Sequence, residues 1–402
     1  MSLWWMLAYG AARVGIGMHD LFYNAVAGFY LSSYGLPNVA IGFLANERSF
    51  VGSLLNPVIG GLSDRTRSPL GRRKLYLMLL VPWTALGFLV LAAYPPTWLV
   101  VTVFILGPLF LGLAVVPYQA LLPDCVVPEQ RATVSGVNVL MGMAGGMALL
   151  VAASAWWAEH PAWVCLLVAA TLGLGVLLTL LTIKEPAPPP LPTVPPQHPL
   201  AYVRGVLAYR AATKYVASYC LFWVGIGGIT PFLTRFGHEE LGIPEGETFL
   251  LLLVVLLTTL LCSAPAGWLG DRYGKKRVTS WGLLAFAMLI LAGSQLQSVE
   301  QALPLLALAG GAQAVPSVLA YPLFTELVPA RRMGELTGLS TMVWSLMQPL
   351  GATLFGALAD QTGTLRSVLV GGGVALLLAW LVLQTVEVPA QLPDRRVVAG
   401  SE

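Results

Sequence analysis

Charge is what this sequence has least of. Lysine, arginine, aspartate and glutamate make up 10% of its 402 residues, against about a quarter in an ordinary soluble domain. So thin a polar complement excludes a chain whose main solvent is water. Cysteine is nearly absent as well, with four residues at positions 125, 165, 220 and 262. No CxxC pair or metal-ligand spacing links them, which excludes a disulfide framework, a zinc site and a haem attachment motif. They read as small apolar core residues. No P-loop, GxSxG elbow or HExxH helix occurs, so the sequence encodes neither nucleotide hydrolysis nor hydrolase chemistry and is not expected to be an enzyme or to need a cofactor. The basic turns are too short and scattered to form a nucleic-acid surface. The opening MSLWWMLAYGAARVG lacks a basic lead-in and does not read as a cleavable signal peptide.

What fills the chain instead is hydrophobic length, at 57% of all residues. Apolar runs recur from end to end, each long enough at about 1.5 Å per residue to cross a hydrocarbon core of about 30 Å. Stretches such as FLLLLVVLLTTLLC do not alternate, which excludes a β-barrel. The expected fold is all-α and polytopic, with a lipid bilayer as its surroundings and twelve spans at roughly 8–34, 38–62, 74–94, 97–121, 133–156, 161–183, 208–235, 247–268, 277–295, 302–324, 335–358 and 365–385. Between the sixth and seventh lies KEPAPPPLPTVPPQHPL, whose prolines cannot continue a helix and favour an extended spacer. The expected organisation is therefore a six-helix bundle at 1–183, a linker at 184–207, a second six-helix bundle at 208–386 and a tail at 387–402.

An even number of crossings puts both termini on one side. Eighteen of the 22 cations fall in loops and span ends that share that side, so the positive-inside rule makes it cytoplasmic and the protein an integral plasma (inner) membrane protein. Two of those loops are near-copies. GGLSDR with GRRK follows the second span, and GWLGDRYGKKR follows the eighth, so Gly60, Asp64 and Arg65 match Gly267, Asp271 and Arg272. PYQALLPDCVVPEQRATVSG after the fourth span likewise matches YPLFTELVPARRMGELTG after the tenth, with Asp124 against Glu326. Both elements recur on one side, as in parallel repeats. Glycines at 60 and 267 are expected to let helices approach closely. Together with Arg72, Arg73 and Arg131, the matched acids and arginines are expected to form a cytoplasmic gate, each acid pairing with arginine or capping a helix N-terminus.

Charge inside a span is costly and so points to function or to a partner. Arg13, near the end of the first span, reads as a snorkelling residue. Asp20 lies near the middle of that span, preceded by His19 and followed by Tyr23 and Asn24, with 20, 23 and 24 on one helical face. A carboxylate there can carry a proton; the alternative is a structural acid that latches the helix to a neighbour. Glu47 and Arg48 sit midway along the second span, and Arg48 is the expected partner of Asp20. Asn56, Gln119, Gln313, Tyr321, Trp344 and Gln348, with Tyr30, Tyr118, Asn138 and Trp223, are polar or aromatic candidates for lining a solute cavity. Pro117, Pro231, Pro316, Pro322 and Pro349 mark places where helices can break or bend.

With its paired glycine–aspartate–arginine loops the chain resembles a major facilitator superfamily transporter. SDRTRSPLGRRK, the VPYQALLPD segment and GIGMHDLFYNAVAGFYLSSYGL together resemble the glycoside-pentoside-hexuronide cation symporters and the related sucrose transporters. The resemblance implies two six-helix bundles that move against each other, a functional carboxylate at Asp20, and transport of a sugar or glycoside. It also implies departures, because the sodium-binding carboxylates of the second span are replaced here by Gly52 and Asn56, and the sugar-binding acid of the fourth span by Val115. The coupling ion is therefore expected to be a proton rather than sodium, and the transporter is expected to be monomeric. An exporter of amphiphilic or lipid-like solutes, or a non-transporting receptor or assembly partner with this fold, is the alternative.

Overall fold

The structure, a computed structural model, describes residues 3–46, 50–127, 130–186, 210–327 and 333–388. Among them every regular element is helical. In chain order these are α1 (Leu3–Leu21), a π-helical turn (Phe22–Val26), α2 (Ala27–Ser32), α3 (Asn38–Leu44), α4 (Phe50–Arg65), α5 (Lys74–Ala92), α6 (Thr97–Cys125), α7 (Arg131–Trp156) and α8 (Pro161–Thr182). There follow α9 (Arg210–Ile229), a short 3-10 turn (Thr230–Phe232), α10 (Leu233–Glu239), α11 (Glu245–Tyr273), α12 (Lys275–Gly293), α13 (Val299–Thr325), α14 (Met333–Thr362) and α15 (Arg366–Gln384).

Ten helices are long and apolar enough to cross a membrane, judged by length and composition. The first and second expected spans are not among them. Arg13, His19 and Asp20 interrupt the apolarity of α1, and the second span is divided into α3 and α4. Pro231 lies in the 3-10 turn that separates α9 from α10, as its missing N–H requires. Pro117, Pro316, Pro322 and Pro349 are carried inside unbroken helices.

The chain divides into two compact units. The first comprises Met1–Leu36, Leu44–Pro196 and Pro244–Leu250; the second comprises Pro37–Phe43, Gln197–Ile243 and Leu251–Glu402. In the first, α1 packs on α7 and α8, and α5 on α6 and α8. In the second, α9 packs on α14 and α15, and α12 on α13 and α15. The same helix order therefore builds the same contacts twice.

Hydrogen bonds repeat the pattern. Tyr9 donates to the Tyr118 carbonyl at 3.1 Å, and Tyr215 donates to the Ala320 carbonyl at 2.7 Å. Gly60 faces Val116, and Gly267 faces the matching Val318. A Cβ at Gly60 or Gly267 would sit 3.7 or 3.9 Å from those valines, an ordinary contact. These two glycines therefore are not needed for close helix approach, contrary to the expectation from the sequence. The tight crossings lie elsewhere: a Cβ at Gly17 would strike the Gly142 carbonyl, and one at Gly145 the Val14 carbonyl, where α1 crosses α7.

The second unit also contains α3, which the sequence assigns to the first bundle. Gly42 lies against the Ala352 carbonyl and Gly356 against that of Asn38, so the backbones of α3 and α14 nearly touch. Asp360 accepts from the Asn38 and Val39 N–H groups at 2.9 and 2.8 Å, satisfying donors that the start of a helix leaves open.

Candidate functional site

Among the described residues, the charges expected inside the spans of the first unit lie on α1. Arg13 Nη1 lies 3.8 Å from Asp20 Oδ2, and His19 Nδ1 lies 3.3 Å from Asp20 Oδ1. Seven residues separate Arg13 from Asp20, which at about 3.6 residues per turn places them on one face. Arg13 therefore forms an ion pair and does not simply snorkel; its side chain passes over Gly142 of α7, where a Cβ would lie 2.9 Å from Nε. Glu47 and Arg48 lie outside the described residues. His19 is fully buried, its ring 4.7 Å from that of Tyr23 and edge-on to Phe88.

Immediately after Asp20 the helix widens into the π turn, which the sequence did not disclose. A π turn adds a residue to the repeat, so side chains beyond it leave the face an α-helix would give them. Tyr23, within that turn, packs in an aromatic cluster, 5.1 Å from Phe104, with 1% of its surface exposed. Asn24 donates to the Asp20 carbonyl at 2.9 Å. Of the expected face, Asp20 and Asn24 stay linked, while Tyr23 lies in the core beside the His19 ring.

The other lining candidates separate. Gln119 is exposed and Tyr321 is 44% exposed. Gln313 is half-buried. Tyr30 is committed to the Leu91 carbonyl at 2.7 Å. Tyr118, buried beside Tyr9, hydrogen-bonds Asn138 Oδ1 at 2.7 Å. Val115 is buried in the apolar cluster around those tyrosines. Asn56 is half-buried, and its side-chain oxygen has no hydrogen-bond partner among the described residues. In the second unit, Trp344 donates to Gln348 at 3.0 Å and its ring lies 5.4 Å from that of Trp223. These three form an aromatic–amide group of the kind that can bind a hydroxylated solute.

The first repeat loop builds a dense charge cluster. Arg73 reaches Asp64 and Ser63 and lies 3.1 Å from Asp124 through Nε, while Arg72 meets Asp124 at 2.6 Å. Both arginines are buried, at 8% and 6% exposed. A third acid, missed by sequence reasoning because it opens the proline-rich linker, completes the cluster. Glu185 accepts from the Arg73 N–H at 3.0 Å and the Lys74 N–H at 3.4 Å, capping α5, and its carboxylate lies 3.6 Å from Arg72. Glu185, rather than Asp64, therefore supplies the expected cap. Lys74 in turn donates to the Leu180 carbonyl at 2.7 Å.

The remaining gate candidates take other roles. Arg131 braces its own turn, donating to the Val126 and Pro123 carbonyls. Arg65 and Asp271 are exposed. Glu326 pairs with Lys275 at 2.5 Å, and Arg272 lies over the rings of Trp268 and Tyr273 rather than against an acid. No group of three or more metal-ligating side chains occurs among the described residues.

Duplicated six-helix units, apolar spans and paired charged loops define a membrane transporter. The chain belongs to the Major Facilitator Superfamily, whose model matches residues 6–262 and again 216–399, a family of transporters and not of enzymes. Among solved structures it is similar to a bacterial homologue of the human lysosomal transporter Spinster, inward-facing and occupied, with 16% identity over 94% of this chain and 95% of that one and a TM-score of 0.75. It is also similar to the nucleoside transporter NupG, with 13% identity, 95% and 99% coverage and a TM-score of 0.79. A bacterial homologue of the iron transporter ferroportin gives 19% identity, 96% and 99% coverage and a TM-score of 0.70. At such identities the likeness is one of fold. No curated protein sequence matches the chain significantly.

Proposed function

We propose that this protein is a proton-coupled secondary transporter of a small polar solute, working by alternating access in the plasma membrane with both termini cytoplasmic. The observation that carries this reading is the Asp20 carboxylate, held between Arg13 and His19 near the end of α1, two residues before a π turn. Ionisable groups at such depth are retained where charge moves or pairs, and π turns recur at functional sites. Protonation of Asp20 would release Arg13, which supplies a step that proton flow can drive. A sugar or glycoside is the favoured solute class, from the resemblance to the glycoside symporters, and the Trp223, Trp344 and Gln348 group has suitable chemistry for its hydroxyls and ring faces. Sodium coupling is disfavoured by Gly52 and Asn56 at the positions where that resemblance places carboxylates.

The test is substrate-driven pH change in proteoliposomes containing wild type or Asp20→Asn. Proton movement should disappear in the variant while solute exchange persists. Unchanged proton coupling in Asp20→Asn would exclude the role given to Asp20.

A further inference from the structure

The two repeat loops dispose of their cations differently. In the first, Arg72 and Arg73 are buried against Asp64, Asp124 and Glu185, and Arg65 is exposed. In the second, Lys275 is matched by Glu326, and Lys276 donates to the Gln384 carbonyl at 3.2 Å. Arg272 and Arg277 are exposed, and among the described residues neither forms an ion pair with a carboxylate. Asp271 and Glu387, the other acids of this region, are exposed too.

Aromatic rings back both guanidiniums. Arg272 lies 5.2 Å from the Trp268 ring and 5.5 Å from that of Tyr273; Arg277 lies 4.9 Å from that of Trp281. Tyr273 and Trp281 are themselves in contact at 6.5 Å, so the stacked cations form one continuous patch. A guanidinium held by its face keeps its N–H edge for a planar or tetrahedral anion. Beside Arg277 opens a groove lined by Lys275, Lys276, Ser280, Gln384 and Glu326, the last already paired with Lys275.

The surroundings identify where the anion comes from. Trp268 and Trp281 are 57% and 50% exposed, and Leu261, two turns before Trp268 on α11, is 72% exposed. Exposed indoles at the end of a long apolar helix are a membrane-interface arrangement, and a basic pocket at that level suits an anionic headgroup. A soluble phosphate would gain nothing from the indoles or from Leu261.

We infer that the Arg272–Arg277 patch and its groove bind the phosphate of an anionic phospholipid, with an acyl chain lying along Trp268 and Leu261. The site belongs to the second unit alone and is independent of the solute and of proton coupling.

The experiment is thermal unfolding of the full-length protein in detergent, titrated with phosphatidylglycerol, phosphatidylcholine or glycerol 3-phosphate. Phosphatidylglycerol should raise the midpoint, and the other two should leave it in place. In the Arg272→Gln/Arg277→Gln double variant the concentration giving half the stabilisation should rise about tenfold, since each interfacial cation makes a sizeable contribution to anionic-lipid attraction. The Arg272→Lys/Arg277→Lys variant keeps the charge but loses the flat fork, and should fall between the two; it serves also if the glutamine variant does not fold. An equal phosphatidylglycerol response in wild type and in the variants would overturn the site. An equal response of wild type to phosphatidylcholine would overturn the requirement for charge, and an equal response to glycerol 3-phosphate would overturn the lipid assignment.

Discussion

Arg13 reaches two turns along its own helix to bring Nη1 within 3.8 Å of Asp20 Oδ2. The pair joins charges that cost most when left alone in a membrane, and it is partly open, with side chains 25% and 13% exposed. In the proposed mechanism this pair holds the resting state and breaks when Asp20 is protonated.

Removing the arginine should therefore damage coupling. A charge-assisted contact is worth about 1.5–3 kcal/mol when short and well aligned, and at this length and exposure the lower figure applies. Substrate-driven proton movement in Arg13→Gln proteoliposomes should fall about tenfold, one decade per 1.4 kcal/mol, while Arg13→Lys should recover part of it. Full activity in Arg13→Gln would remove the pair from the mechanism.

Glu185 should matter far more than its place at the edge of a proline-rich linker suggests. Its side chain is 3% exposed, caps α5 and faces Arg72. Glu185→Gln leaves buried guanidinium charge less compensated and should cost about 2–4 kcal/mol. The adjacent Lys184→Gln, an exposed position, should stay within about 0.5 kcal/mol. Thermal unfolding of the two variants in the same detergent makes the comparison, and similar midpoints would contradict it.

Glycine at the α1–α7 crossing is required by space. Gly17→Ala would drive a methyl into the Gly142 carbonyl, and overpacking of that kind costs about 1–3 kcal/mol. Gly60→Ala, whose methyl would meet Val116 at 3.7 Å, should be close to neutral. A midpoint for Gly60→Ala as low as that for Gly17→Ala would reverse the assignment of which glycines bring helices together.

Acid should weaken the second unit through Glu240. Burial pushes its carboxyl upward, but hydrogen bonds from Thr364, the Leu365 N–H and Arg366 outweigh this and hold it below the ordinary carboxylate value. Arg366 is in turn fixed to the Ser294 and Leu296 carbonyls at 2.7 and 2.8 Å. A carboxylate with a depressed folded value stabilises the protein above the unfolded value of about 4.3, and that contribution is lost as pH falls through the folded value. Wild type should therefore unfold at a higher temperature than Glu240→Gln at pH 7, and the gap should close as pH drops below that of a free carboxylate. A gap that is constant with pH would show that the charge of Glu240 is not what stabilises this end.

The sequence by itself determined the architecture. Its apolar runs are as long as a membrane is thick, its cations are sorted by loop, and its motifs recur at near-constant offset; each of these is a one-dimensional signal with a direct physical cause. The repeat proved deeper than the motifs, since Tyr9 and Tyr215, in helices with little similar sequence, make the same bond to a neighbouring carbonyl. Partnerships were a different matter. The Arg13–Asp20 spacing was present in the sequence as two helical turns, yet nothing local marked it as an ion pair; Arg48, the partner expected there, lies outside the described residues. Glu185 as the cap of α5, Asp360 as the cap of α3 and the π turn that buries Tyr23 left no such mark. Each depends on which backbone donors and charges are brought together from distant positions in the chain, and tertiary packing alone decides that, because an unpaired donor or a buried charge takes whichever partner the fold delivers.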